Sequence, residues 1–365
     1  MEDIDIDKGF YFPICNKSEI DRIFNVQTAK DYLLKLRADT IVDHMRLFRV
    51  YRNKAIALGQ SWALEKSFSD SHYSTFIDIL PNDLKIECDK LTYGNIFSNE
   101  SNGLLFKTDY GPITTLSDSL IHFLEFMHLG LMDFGEVVPE HVRFNAIRIA
   151  IRVMLQTESL DFLMDPRGII PTKIQKVIQK PVNSQMKFIA GHECSHFLLK
   201  HLSDSNVSRH AILRAVSSID EDYKPMNVYT TSQKQELEAD LASINMPNYS
   251  WQEKKMILEA ALLWFACLDI FESVEDSIFP PIGYQTHPSA RDRYFNLLEN
   301  VNVQGKFDRK YWEKRLPPYI DFYRRFFIED VSLNIESYEM YGSVYLDKPN
   351  TEWRGRELID RVDYY

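Results

Sequence analysis

The chain has 365 residues, 45% hydrophobic and 26% charged, the profile of a folded globular protein rather than a disordered one. Length alone allows one large domain or about two. With 42 Lys and Arg against 53 Asp and Glu the net charge is −11, which excludes the electrostatic footprint of a nucleic-acid or anionic-membrane binder. The opening MEDIDIDKGF is acidic and has no apolar signal core. The most apolar long stretch, 256–271, is interrupted by Glu259 and Asp269 and is too short to span a bilayer. Four separated cysteines (Cys15, Cys88, Cys194, Cys267) form no CxxC pair and suit a reducing compartment. The expectation is a cytoplasmic protein without a membrane span.

In chain order, residues 18–65 carry apolar residues at helical spacing. Ser18 with Asp21 resembles a capping box, and two helices with a break near 38–40 are expected. Residues 66–118 are mixed and turn-rich. Two apolar stretches follow, at 119–130 and 142–155. In the second, alternation at Ile147, Ile149, Ile151 and Val153 reads as strand, while Phe144, Ile147, Ile151 and Met154 fit a helix stripe equally well. Asp165-Pro166-Arg167-Gly168 is a turn. Helices are expected at 183–202, 233–245, 251–276 and 289–300. A polar connector, 203–232, holds a short helical candidate at 211–217. Pro280-Pro281 ends the long buried helix, and the tail from 308 is rich in aromatics.

The informative string is Gly191-His192-Glu193-Cys194-Ser195-His196, an HExxH motif. On a helix the two His lie one turn apart on one face, so both imidazoles can reach one zinc ion at about 2.0–2.1 Å. Glu193 is offset by about 100° around the helix and is not placed to be a ligand. It is placed to take a proton from a water held in the open metal position. Apolar residues on both sides of the motif argue against a solvated helix face, because buried imidazoles need partners.

A third ligand is expected on the helix at 233–245. Glu236 and Asp240 share one face at i, i+4. Glu236 suits the metal, and Asp240 suits the free ring N–H of a ligand His, holding its tautomer. Glu238 is the competing ligand. In Thr286-His287-Pro288, the Pro places His287 at the mouth of the next helix, a candidate donor to an oxyanion; an unassigned Tyr is the alternative. Cys194 reads as a small buried residue, and His201 as a packed or hydrogen-bonded His rather than a ligand.

These three strings, in this order, resemble the gluzincin metallopeptidases of the CAAX prenyl protease and HtpX family, which includes the OMA-type inner-membrane protease. The match includes a His five residues past the motif (His201), the Glu-Ala-Asp ending at Asp240, and an Arg five residues after Pro288 (Arg293). The resemblance covers about 183–300. It implies Glu236 rather than Glu238 as third ligand, Asp240 as support for a ligand His, and His287 near the active site. The family's transmembrane helices are missing, and Ser195 stands where members have Gly or Ala. The Asn-Ala segment that members place on a substrate-binding edge strand has Asn145-Ala146 as its nearest counterpart.

The resulting expectation is an α-rich α+β protein. A zincin-like metallopeptidase core at 141–305, with the HExxH helix and a small sheet, is joined to a helical N-terminal region (1–140) and an aromatic C-terminal extension (306–365). The implied function is zinc-dependent endopeptidase action on a protein or peptide, latent or narrowly specific, with the connector 203–232 as gate. The metal ligands would be His192, His196 and Glu236, and the catalytic groups Glu193 and His287. The alternative is a regulatory or sensor protein built on a metallopeptidase scaffold.

Overall fold

Side-chain caps from Asn16, Thr28 and His44 set the starts of three N-terminal helices. The structure, a computed structural model, describes residues 6–98, 102–164, 170–201, 207–208, 227–229, 233–280, 288–305 and 307–338. After the single turn α1 (Ile6–Gly9) come α2 (Lys17–Phe24), α3 (Ala29–Val42) and α4 (Met45–Leu58). A capping box does open α2, but from Asn16 and Glu19, two residues before the Ser18–Asp21 pair. The expected break at 38–40 does not occur. Ala38, Asp39 and Thr40 are buried in α3, which continues to Val42, and the break falls where His44 caps α4. Two short helices follow, α5 (Ser71–Ile77) and α6 (Asn82–Cys88).

Strands β1 (Thr92–Ile96), β2 (Gly103–Thr108) and β3 (Gly111–Ser117) therefore lie within the first 140 residues, beside the helices expected there. With the short β4 (Val207–Ser208) and β5 (Asn227–Tyr229) they form a mixed sheet in the order β1-β3-β2-β5-β4. β1 runs parallel to β3, and β2 is antiparallel to both its neighbours. Alternate strand residues feed opposite faces. Ile96, Phe106 and Ile113 pack with Leu33 and Leu36 of α3. Phe97, Leu105 and Leu116 join the main core, which extends from Tyr11 to Tyr338.

The ambiguous stretch at 142–155 is helical: α8 (Glu140–Met154) packs against α7 (Asp118–Leu131). Asn145-Ala146 is thus on a helix, not an edge strand, and Asn145 accepts a hydrogen bond from Arg148. The metal-motif helix α9 (Thr172–Leu198) begins eleven residues before the expected 183 and runs through Pro181. An interior proline costs about 3 kcal/mol. Ile174, Ile178 and Val182 are each at least 95% buried on one stripe. At about 1.5–3 kcal/mol each, they outweigh that cost.

The remaining α-helices among the described residues are α10 (Gln233–Asn245), α11 (Trp251–Ile278), α12 (Ala290–Asn300) and α13 (Leu316–Leu333). A Ser250–Glu253 capping box starts α11, whose Ile257, Leu258, Ala261, Leu262, Phe265 and Ile270 are fully enclosed. The aromatic tail packs onto α8: Phe144 meets Phe326 and Phe327, and Arg148 grips Asp330 with two nitrogens. The fold is α-rich α+β. Among the described residues no helix is long and apolar enough to cross a membrane. The turn at 165–168, the helical candidate at 211–217 and nearly all of the connector lie outside the described residues.

Candidate metal centre

Two helices meet at the site. α9 brings His192 and His196, one turn apart, and α10 brings Glu236 and Asp240, also one turn apart. Close approach of α9 to its other neighbours depends on Gly191. A Cβ there would lie 2.5 Å from the Phe76 ring of α5. Glycine inside a helix costs about 1 kcal/mol in propensity; overpacking that contact would cost about 1–3 kcal/mol.

His192 Nε2 and His196 Nε2 face each other at 3.0 Å. Glu236 stands 3.4 Å from the first and 3.5 Å from the second. Ligand atoms of the three residues all lie within 4.8 Å of one another, and all three side chains are buried. Ligands arranged tetrahedrally at about 2.0–2.1 Å from zinc are separated by about 3.3–3.4 Å. The spacing of the trio therefore suits a metal ion, and the group could hold one.

Behind the trio is a second layer. Asp240, with no exposed surface, lies 2.8 Å from His192 Nδ1. It also accepts from Arg293 Nε at 2.8 Å and from a terminal nitrogen of Arg293 at 2.7 Å. Arg293 comes from α12 and lies over the Phe265 ring at 4.7 Å. The first turn of α12 is pinned from α11, where Glu272 accepts the Ala290 N–H at 2.9 Å. The Arg noted in the sequence only by resemblance thus holds the carboxylate that holds His192.

His196 has a different support. α9 ends in a Schellman turn: Lys200 N–H bonds Phe197 C=O and His201 N–H bonds His196 C=O, both at 3.0 Å. Lys200 takes the left-handed φ of 58° that this turn requires. The chain folds back so that His201 Nδ1 lies 2.9 Å from His196 Nδ1. His201 is hydrogen-bonded, as its sequence reading has it. Glu238, the competing ligand, lies instead 3.5 Å from His201 Nε2 and stands outside the ligand trio.

Electrostatics favour positive charge at the trio. Burial works against a charged His192, but Asp240 and Glu236 outweigh it and lift its pKa to about 10. Burial, and then the charge on His192, push His196 well below its ordinary value. Burial also opposes ionised Asp240, yet Arg293 and His192 hold it below the usual carboxylate range. With both imidazoles neutral, as metal ligation requires, the carboxylates of Glu193, Glu236 and Asp240 against the Arg293 guanidinium leave two formal negative charges, which a divalent cation would neutralise.

Glu193 is 8% exposed and lies against the start of β2. A Cβ on Gly103 would come within 2.8 Å of its carboxyl carbon. Only glycine lets that strand approach the carboxylate so closely. Gly103, Leu104 and Leu105 have ladder partners on β3, while among the described residues β5 pairs Phe106 and Lys107 alone. The described strand beside this helix is thus β2, whose first residue, Gly103, lies against Glu193. Nothing in a short Gly-Leu-Leu-Phe run pointed to this from sequence. Tyr73 of α5 was also missed. It is fully enclosed, its hydroxyl lies 3.2 Å from Thr114 Oγ1, and burial, then nearby Glu193, raise its pKa.

Cys194 is fully buried, and burial pushes its thiol well above the ordinary value, as expected of an inert core cysteine. His287 lies outside the described residues. Compared with protein-family models, curated proteins and solved structures, the chain matches none.

Proposed function

We propose that this protein is a zinc-dependent endopeptidase. The observation that carries the reading is the convergence of His192 Nε2, His196 Nε2 and the Glu236 carboxylate, with Glu193 next to the first of them on the same helix. Two imidazoles and one carboxylate are a donor set suited to catalytic zinc, which takes three protein ligands and keeps a fourth position open. Bound there, zinc would polarise a carbonyl and bring the pKa of a water toward 7.

The rest of the chemistry belongs to the chain. Asp240 and His201 orient the two imidazoles through their Nδ1 atoms, so that both Nε2 lone pairs converge. The Glu193 carboxylate receives a proton from the attacking water and passes it to the nitrogen of the leaving amine. Burial of the trio excludes bulk water and strengthens each of these interactions.

A peptide substrate is supported by the neighbouring strand. Among the described residues the β2 backbone from Gly103 to Leu105 is paired on its β3 side alone, the kind of edge that an extended peptide can pair with, and it begins beside Glu193. The test is a proteome incubated with the metal-loaded or the chelated protein, followed by mapping of new protein N-termini. A discrete set of new termini appearing only with metal is expected. Identical termini in both samples would contradict the assignment.

A further inference from the structure

We propose that His201, backed by Glu238, is a positioning residue for the metal site, fixing the tautomer and ring plane of His196. The inference rests on the reading of His192, His196 and Glu236 as a cation site, and it adds a group outside that trio.

His196 lies between two imidazoles, with Nε2 facing His192 at 3.0 Å and Nδ1 facing His201 Nδ1 at 2.9 Å. A neutral ring that gives its Nε2 lone pair to a cation carries its proton on Nδ1. His201 Nδ1 must then accept, because two ring N–H groups cannot face each other at that distance. The proton of His201 is thereby assigned to Nε2, which points to Glu238 Oε2 at 3.5 Å. That separation is longer than a hydrogen bond, so Glu238 acts by attraction between its charge and the ring N–H dipole. One chain of tautomers follows, from the cation through two rings to a surface carboxylate, with no change of charge.

The geometry that presents His201 is built, not incidental. The ring is 8% exposed, and the Schellman turn through Lys200 sets it against the last turn of α9. The two ligand rings are consequently supported by different chemistry. His192 leans on an ionised carboxylate neutralised by Arg293, and His196 on a neutral acceptor. Without that acceptor the Nδ1–H of His196 is left unsatisfied in a buried site, and nothing commits its Nε2 lone pair to the metal. Loss of such an outer partner costs about 10–100-fold in metal affinity.

The experiment measures zinc affinity of the full-length protein by competition with a chromophoric chelator at one fixed pH. His201→Leu removes the acceptor and is expected to weaken zinc about 10–100-fold. His201→Asn places Oδ1 where Nδ1 stood and is expected to restore most of the affinity. A Leu variant that binds as tightly as the parent would overturn the proposal. So would an Asn variant as weak as the Leu variant, since packing rather than the acceptor would then decide. Should His201→Leu fail to fold, nitrogen NMR of the histidine rings in the zinc-loaded parent reads the tautomers directly. Protons on His196 Nδ1 and His201 Nε2 support the assignment, and a proton on His201 Nδ1 refutes it. A parent that binds no zinc would instead refute the metal reading itself, which separates the two failures.

Discussion

Glu193→Gln should retain zinc and lose about 10²–10⁴-fold in peptide hydrolysis, the usual contribution of a positioned general base. At 1.36 kcal/mol per factor of ten this is about 3–5 kcal/mol of transition-state stabilisation. The substitution keeps the volume of the side chain and removes its basicity together with its charge. Glu193 is no member of the ligand trio, so metal content should not change. Gly103→Ala tests the same group from the opposite side. Its Cβ would fall within 2.8 Å of the Glu193 carboxyl carbon, while the strand backbone is tied at Gly103 to Leu116 of β3. The carboxylate must move, and activity should fall with zinc retained. Steady-state rates and metal content of both variants decide the point; a Gln variant as active as the parent would remove Glu193 from the mechanism.

Asp240→Ala is expected to destabilise the metal-free protein by about 3–5 kcal/mol, the cost of leaving one partner of a buried ion pair uncompensated. Asp240 is fully buried and joins Arg293 through two short hydrogen bonds and His192 through Nδ1. Arg293 has only 13% of its side chain exposed, and its other carboxylate neighbour at the site, Glu236, is at 3.5 Å. Removing Asp240 strands that guanidinium against Phe265 and lets the His192 ring turn. The sign with pH is fixed by the lowered pKa of Asp240. Its stabilisation is complete above the ordinary carboxylate range and is lost only as pH falls through the lowered value. A second contribution depends on pH, because Asp240 also lifts His192 to about 10: that stabilisation is complete below the ordinary imidazole value and fades as pH rises toward about 10, so the deficit should be largest in mildly acidic solution and shrink in mildly basic solution. Urea unfolding of parent and variant in chelator measures it, and a deficit below about 1 kcal/mol would mean that Arg293 finds another partner.

The parts of the site that sequence reveals are those set by helix periodicity. His192 with His196, and Glu236 with Asp240, are each one turn apart, so the sequence states which side chains share a face. It does not state that the two helices meet, and the choice of Glu236 over Glu238 came from a resemblance. The structure separates them by direction: Glu236 faces the paired imidazoles and Glu238 faces His201. Contacts made across the fold were not legible. The strand beside Glu193 comes from far upstream, and its marker is the absence of a side chain at Gly103. The helix break at Asp43–His44 and the passage of α9 through Pro181 were missed for a related reason. Local propensity argued for a boundary near 38–40 and for a later start to α9, and tertiary burial decided otherwise.

The central claim is that His192, His196 and Glu236 together hold one divalent cation. Elemental analysis of the purified full-length protein, beside its His196→Ala variant, tests it most directly. One equivalent of zinc per chain in the parent and essentially none in the variant is the expected result. A parent that takes up no stoichiometric metal when zinc is supplied, or a variant that holds as much as the parent, would contradict the account.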